Sequence, residues 1–460
     1  MLFSSLITNI VLILGSSSLI NGQCFESSKL PNGKTYYKKA DCYGHQRRFV
    51  PRGSSGISAD APGSGRGGVG STTASNARFN TANAISAANG TFLINLNCQS
   101  DQATCNEVQY TFISAAQFLA NALVIKQPIT IDARFYSFCT VYQECISGAG
   151  ASITLGQATP NRQILLQGDD NIPRMYPQAL VKQLDPSKAP GSGSSADILA
   201  EFNSDAKFWF QRSNKTISSN QVDFLLVVSH ELIHGLGFTS SYSDYWNTDN
   251  PQALTPNPII ESQSNGKARI SGFTENIFDK YMIRTDNNQA ITDSVATPLN
   301  NWAQNTQYAS SADDLFDQFQ NSNVYNLSTN LLTLAVKENS LALNLNTTSG
   351  PLFLETGLTP FQPSSSISHV DIDKYKNSNE FLMQWEINSG ISLADSMKKI
   401  GGQWNTAPYG PNLIQFLGNM GYPTNSNPDP KVFLQLSDSS KIRAHLLPAL
   451  AVAGLVYLLI

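Results

Sequence analysis

Residues 229–238 read SHELIHGLGF. On a helix, His230 and His234 stand one turn apart on a single face, so both imidazoles can aim at one cation. Glu231 points slightly aside, where a carboxylate can hold a water at that cation and accept its proton. The chemistry offered by this spacing is hydrolysis by metal-activated water. Its bland rival is a buried histidine pair satisfied by hydrogen bonds.

A helix must carry these groups, and the stretch NQVDFLLVVSHELIHGL supplies one that is apolar nearly all round. Such a helix belongs in a core. Asn220 is placed to cap its start, with Asp223 three residues on, and Gly235 and Gly237 end it. Upstream, Val108, Phe112, Ala115, Phe118, Leu119 and Leu123 recur at helical spacing in CNEVQYTFISAAQFLANALV. QPITIDARFYSF alternates and is β-branched, so it reads as a strand; SITLGQA, RQILLQG and ADILAEFN read as three more. One helix, several strands and then the histidine helix predict an α+β fold with a mixed sheet and a buried active-site helix.

HELIHGLGF resembles the metzincin clan of zinc peptidases, in which a glycine lets the chain turn sharply below the metal. Most metzincins place a third ligand directly after that turn, and here Ser240 occupies the position. Leishmanolysin-like surface metallopeptidases instead place a long insertion before the third histidine, which a methionine turn follows. Of the five histidines, His45 lies in an N-terminal piece and His445 in the tail, leaving His369 in SISHVDIDKYKNSNEFLMQW, with Met383 after it. The resemblance therefore implies a Zn²⁺ site of His230, His234 and His369, Glu231 as general base, Met383 as the methionine turn, and residues 239–368 as the insertion. Asp244, Glu261 and Glu275 are the competing ligands. The resemblance also suggests ADILAEFNS as an edge strand above the cleft, an ordinary core strand being the alternative. NLIQFLGNMGY is similar to the last helix of such domains. NIFDKYM and the alternating LALNLN and GPLFLET suggest that the insertion is folded.

The 460-residue chain is long enough for a large core, and a net charge of −4 with 14% charged residues gives no sign of a nucleic-acid partner. Residues 1–22 read as a secretory signal peptide, although no basic residue stands near the start. At the other end, small residues Ser437, Asp438 and Ser439 precede a polar spacer and a wholly apolar run, Leu446–Ile460. That run is short of the about 20 residues a spanning helix needs, and the pattern is that of a GPI-attachment signal with Ser437 as attachment residue. The six cysteines all fall in the first third, as disulfides of an exported chain would. Close spacing favours Cys98–Cys105 and Cys139–Cys145, leaving Cys24 with Cys42, though fifteen connectivities are open. Asn89, Asn214, Asn326 and Asn346 open N-glycosylation sequons.

The expected organisation is a signal peptide (1–22), a small disulfide piece or propeptide (23–50) and a Gly/Ser-rich linker (51–75). A metallopeptidase domain (76–425), a C-terminal stalk (426–437) and a GPI propeptide (438–460) follow. Arg47-Arg48 would suit a processing protease. The function expected is a zinc endopeptidase held at the outer face of the plasma membrane, acting on proteins or peptides. Its rivals are a catalytically silent surface or adhesion protein on the same scaffold and a structural GPI protein with coincidental histidines.

Overall fold

The computed structural model describes residues 23–29, 35–40, 85–145, 153–189, 196–247, 250–263, 265, 267–346, 350–402, 404–432 and 434–436. Cys42, the linker 51–75, the leader, Ser437 and the apolar tail lie outside these residues. Two antiparallel strands come first, β1 (Gln23–Lys29) and β2 (Thr35–Ala40). The α+β domain then opens with β3 (Ile85–Ala87), β4 (Phe92–Cys98), helix α1 (Gln102–Ala122), β5 (Ile129–Tyr136) and the short α2 (Phe138–Tyr142). It continues through β6 (Gly156–Pro160), β7 (Arg162–Gln167), β8 (Pro173–Pro177), α3 (Gln178–Leu184) and β9 (Ile198–Asn203). A small parallel pair, β10 (Phe208–Trp209) and β11 (Val222–Asp223), leads into α4 (Phe224–Gly235), which carries the histidines.

Five strands form one sheet in the order β3-β4-β5-β9-β6, with β4, β5 and β9 parallel and β6 antiparallel to β9. The alternation in β5 is what seats this sheet: Ile129, Ile131, Ala133 and Phe135 are buried while Thr130, Asp132 and Arg134 face the other way. α1 buries Val108, Phe112, Ala115 and Leu119, one turn apart, and packs on α4 and β4. Asp101 caps α1 by accepting from the Thr104 amide at 2.9 Å. Phe224, the first residue of α4, is ringed by Phe112, Phe135, Phe202, Phe208 and Phe210 at centroid distances of 4.7–6.5 Å. This aromatic knot fixes where the histidine helix begins.

Two sequence expectations are corrected here. The strand of ADILAEFNS, β9, lies between β5 and β6 and is not an edge; among the described residues the edges are β3 and β6. Strand order is set by which elements bury the apolar face, and β9, buried at all six positions, takes the interior place. The cap of α4 is Asp223 rather than Asn220, because Val222 and Asp223 pair with Phe208 and Trp209 and the helix cannot start before that pairing ends.

The segment 239–368 is folded into the same body. It supplies β12 (Asn257–Ser262), β13 (Ala268–Asn276), a 3-10 turn (Ile277–Tyr281), β14 (Met282–Arg284) and α5 (Thr297–Ala303). Helices α6 (Ala312–Gln320) and α7 (Tyr325–Ala335) and strands β15 (Leu341–Leu343) and β16 (Leu352–Phe353) complete it. The pair expected in LALNLN and GPLFLET is β15 with β16, antiparallel. β13 runs parallel to β8, so the insertion extends a sheet ordered β12-β13-β8-β7-β1-β2. Helix α8 (Ile372–Tyr375) precedes the stretch around Met383, and α9 (Leu393–Ile400), α10 (Pro411–Met420) and β17 (Gln435–Leu436) follow it. β1 and β17 both pair with β7, so the N-terminal piece and the expected stalk return to the domain. Cys98–Cys105 and Cys139–Cys145 are bridged. Among the described residues no helix is long and apolar enough to cross a membrane.

Candidate metal centre

All twelve residues of α4 are buried, including both histidines and Glu231. Asp223 starts the helix by accepting from the Leu225 amide at 2.9 Å and ties it to α9 by accepting from Leu393 N at 2.8 Å. The exit needs glycine twice. A Cβ on Gly235 would overlap Ile198 of β9, and Gly237 sits at φ +106° with a hypothetical Cβ 2.6 Å from Pro177 Cγ. The sharp turn brings the Phe238 carbonyl back under the helix, where it accepts from His234 Nδ1 at 2.7 Å.

His369 arrives from 135 residues away to close the site. Its Nε2 lies 3.2 Å from that of His230 and 3.1 Å from that of His234, and the latter two are 3.1 Å apart. Each ring is oriented from behind by a backbone carbonyl on Nδ1: Leu382 for His230 (2.7 Å), Phe238 for His234 (2.7 Å) and Ser365 for His369 (3.0 Å). A carbonyl accepts only, so each Nδ1 must carry the proton and each Nε2 presents a lone pair. Three lone pairs thus face one another at contact distance inside a buried site, an arrangement that repels unless a cation lies between them. Protonation of the rings is disfavoured by the same burial, which holds His230 near about 4, His234 near about 3 and His369 well below the ordinary value.

The geometry fits a zinc ion. Bonds of about 2.0–2.1 Å in a tetrahedron give ligand-to-ligand edges of about 3.3–3.4 Å. The observed edges of 3.1–3.2 Å fall within a few tenths of that. Neutral imidazole held through Nδ1–H to a carbonyl is also the donor state such ions select. Among the described residues these three form the one group of three or more potential ligands with atoms within 4.8 Å of one another.

The rival carboxylates are committed elsewhere. Asp244 accepts from four backbone amides, those of Trp246, Asn247, Gln252 and Ala253, at 2.7–3.2 Å. Glu261 pairs with Arg269 (2.9 Å) and Tyr308 (2.5 Å). Glu275 holds Arg174 (3.1 Å), Tyr242 (3.0 Å) and Thr292 (2.9 Å). Ser240 is bonded to other groups: its amide donates to Ser368 Oγ at 3.1 Å and its hydroxyl to Asp279 at 2.7 Å.

Met383 closes a buried 3-10 turn, Phe381–Met383, that touches the site twice. Leu382 O orients His230, and Met383 O accepts from the amide of Val370, next to His369, at 2.9 Å. Several supporting groups escape a reading of the sequence. Asp279, fully buried, accepts from Ser240 Oγ, Ser241 N, Ser241 Oγ and Asn276 N, so the insertion holds the turn after His234. The Asn276-x-x-Asp279 spacing of a capping box was the signal available for it. The carbonyls of Leu382, Phe238 and Ser365 have no such signal, because every residue has one. The four sequon asparagines, Asn89, Asn214, Asn326 and Asn346, are all exposed.

The SPBPB7E8-like family matches residues 35–435, most of the chain and all of this site. The chain belongs to that family. Uncharacterized protein PB7E8.01 of Schizosaccharomyces pombe is similar, at 29% identity over 350 residues, or 71% of this chain. The chain spans only 60% of the length of that curated relative. No solved structure matches the chain. For this SPBPB7E8-like protein, then, the arrangement of the three histidines is the most direct lead to function.

Proposed function

We propose that the protein is a zinc-dependent endopeptidase of metzincin, leishmanolysin-like type, with His230, His234 and His369 as ligands and Glu231 as general base. One observation carries the reading: three buried imidazoles, each fixed by a carbonyl at Nδ1, converge through Nε2 at 3.1–3.2 Å. Bound zinc would supply Lewis acidity, bringing a water's pKa to about 7 and polarising a carbonyl. The chain's own part is to hold the three rings neutral and aimed, and to keep Glu231 on the same helix, 8% exposed, as acceptor of the water's proton and its donor to the leaving amine. β6, an edge of its sheet among the described residues and the strand against which α4 packs, is the place where an extended peptide would add as a strand. The exposed sequons and the disulfides support an exported protein, held outside the cell by a GPI anchor at Ser437.

Glu231→Gln tests the assignment. The variant should bind zinc as the wild type does and lose nearly all peptide hydrolysis, and chelation should silence the wild type until zinc is returned. Retained hydrolysis in zinc-loaded Glu231→Gln removes Glu231 from the mechanism. Zinc binding without any hydrolysis in the wild type favours the silent scaffold instead.

A further inference from the structure

Helix α10 begins without a cap of its own. Its N-cap is Gly410, which has no side chain, and its first residue is Pro411, which has no N–H. The two amides left exposed at that end, Asn412 N and Leu413 N, are taken by the Glu380 carboxylate, Oε1 at 2.7 Å and Oε2 at 3.1 Å. Glu380 is 5% exposed and stands directly before the turn Phe381–Met383. The fit is close enough that a Cβ on Gly410 would overlap the Glu380 carboxylate and the Asn379 carbonyl. An anion on two free amides at a helix N-terminus is favoured by hydrogen bonding and by the helix dipole together.

The same helix reaches the other side of the site. Phe416 packs edge-on against Phe238, whose carbonyl orients His234 (centroids 5.4 Å), and Tyr422, just past α10, donates to Leu236 O at 2.8 Å. α10 is thus a platform behind the metal centre, and its N-terminal connection to the methionine turn is the Glu380 carboxylate. We propose that Glu380 is a positioning residue: it fastens the Phe381–Met383 turn to α10 and so fixes the Leu382 carbonyl that aims His230. The inference rests on the metal-centre reading given above. Group behind group, the order is α10 amides, Glu380, the turn, Leu382 O, His230 Nδ1. Partners bonded directly to a metal-ligating histidine, the place held here by Leu382 O, change metal affinity by about 10–100-fold when removed.

The test uses Glu380→Gln, which keeps the shape but places an amide NH₂ against one backbone N–H, and Gly410→Ala, which displaces the carboxylate without altering it. Asp101→Asn, at the exposed cap of α1, serves as a stability control. Zinc affinity is measured by competition with a chromogenic chelator. The ring protons are followed by NMR of the ¹⁵N-histidine-labelled, metal-free full chain, where His230 Nδ1–H is observable whether or not zinc binds. Both site variants should lose zinc affinity at least tenfold and show faster exchange of His230 Nδ1–H, with that of His234 little changed and Asp101→Asn at wild-type affinity. Wild-type zinc affinity and a protected His230 Nδ1–H in either folded site variant overturn the inference. So does a loss no larger than that of Asp101→Asn, or global unfolding of both site variants, since Glu380 would then be structural only. If no protein binds zinc, the metal reading fails by itself. The inference then stands or falls on the exchange of His230 Nδ1–H.

Discussion

Replacing His369 by alanine is the sharpest perturbation of the proposed centre. The three Nε2 atoms form a nearly equilateral triangle with edges of 3.1–3.2 Å, so the rings contribute equally and no two of them enclose an ion. Four-ligand zinc sites bind with about 10–16 kcal/mol, or roughly 2.5–4 kcal/mol per ligand, so the loss of one imidazole should weaken zinc by roughly 70- to 1,000-fold. The residual site would be the His230–His234 pair alone. The assay is zinc competition against a chromogenic chelator at pH 7.5, with circular dichroism to verify the fold. Asp244→Asn, Glu261→Gln and Glu275→Gln provide the contrast. Their carboxylates hold backbone amides, Arg269 and Arg174, so these variants should melt earlier yet bind zinc with unchanged affinity. A folded His369→Ala protein that binds zinc like the wild type refutes the triad. A carboxylate variant that loses zinc while remaining folded would identify a different third ligand.

Three further outcomes are open to measurement. Burial holds His230 near about 4 and His234 near about 3, so between about pH 6.5 and pH 4 the unfolded metal-free chain binds more protons and stability falls with falling pH; at pH 5 His230 alone accounts for about 2 kcal/mol. Denaturation of the metal-free protein at pH 7 and pH 5, compared with a His230→Gln variant to cancel the opposing buried carboxylates, should show this difference, and equal pH sensitivity of the two proteins would contradict it. Gly237→Ala should cost about 2–4 kcal/mol in a thermal or urea melt, from positive φ and the Pro177 contact together, and a wild-type midpoint would show that the turn relaxes freely. Truncation before Lys441 should release the protein from cells into the medium, and a truncated form that stays on the membrane removes the GPI reading.

The histidine helix was legible because its signal is local: an i, i+4 pair inside an apolar run fixes both the helix and the face. Its start was misplaced by three residues, at Asn220 rather than Asp223, because Val222 and Asp223 pair with Phe208 and Trp209, a contact that the helical pattern of the run does not show. Strand pairing also misled the reading of β9. A run buried at every position says that a strand is covered on both faces, but not which strand flanks it. His369 could be named from the short roster of histidines and the resemblance, yet nothing beside it in sequence explains how it reaches the site.

That explanation lies in the insertion and in α10. Asp279 and Ser368 fasten the turn after His234, while Glu380 and the methionine turn fasten His230 and the segment next to His369. The Glu380 fastening ends on backbone amides, and the Asp279 fastening on two serine hydroxyls and two backbone amides; backbone groups carry no residue identity, so the sequence conceals that half. The consequence bears on how such a site tolerates a long insertion before its third ligand. A ligand delivered by a floating loop would bear the ordering entropy of the whole insertion on binding metal. Here the segment shares the domain's core and joins β8 through β13, so that entropy is lost on folding. His369 is thereby held beside the two histidines on α4 by the folded body itself.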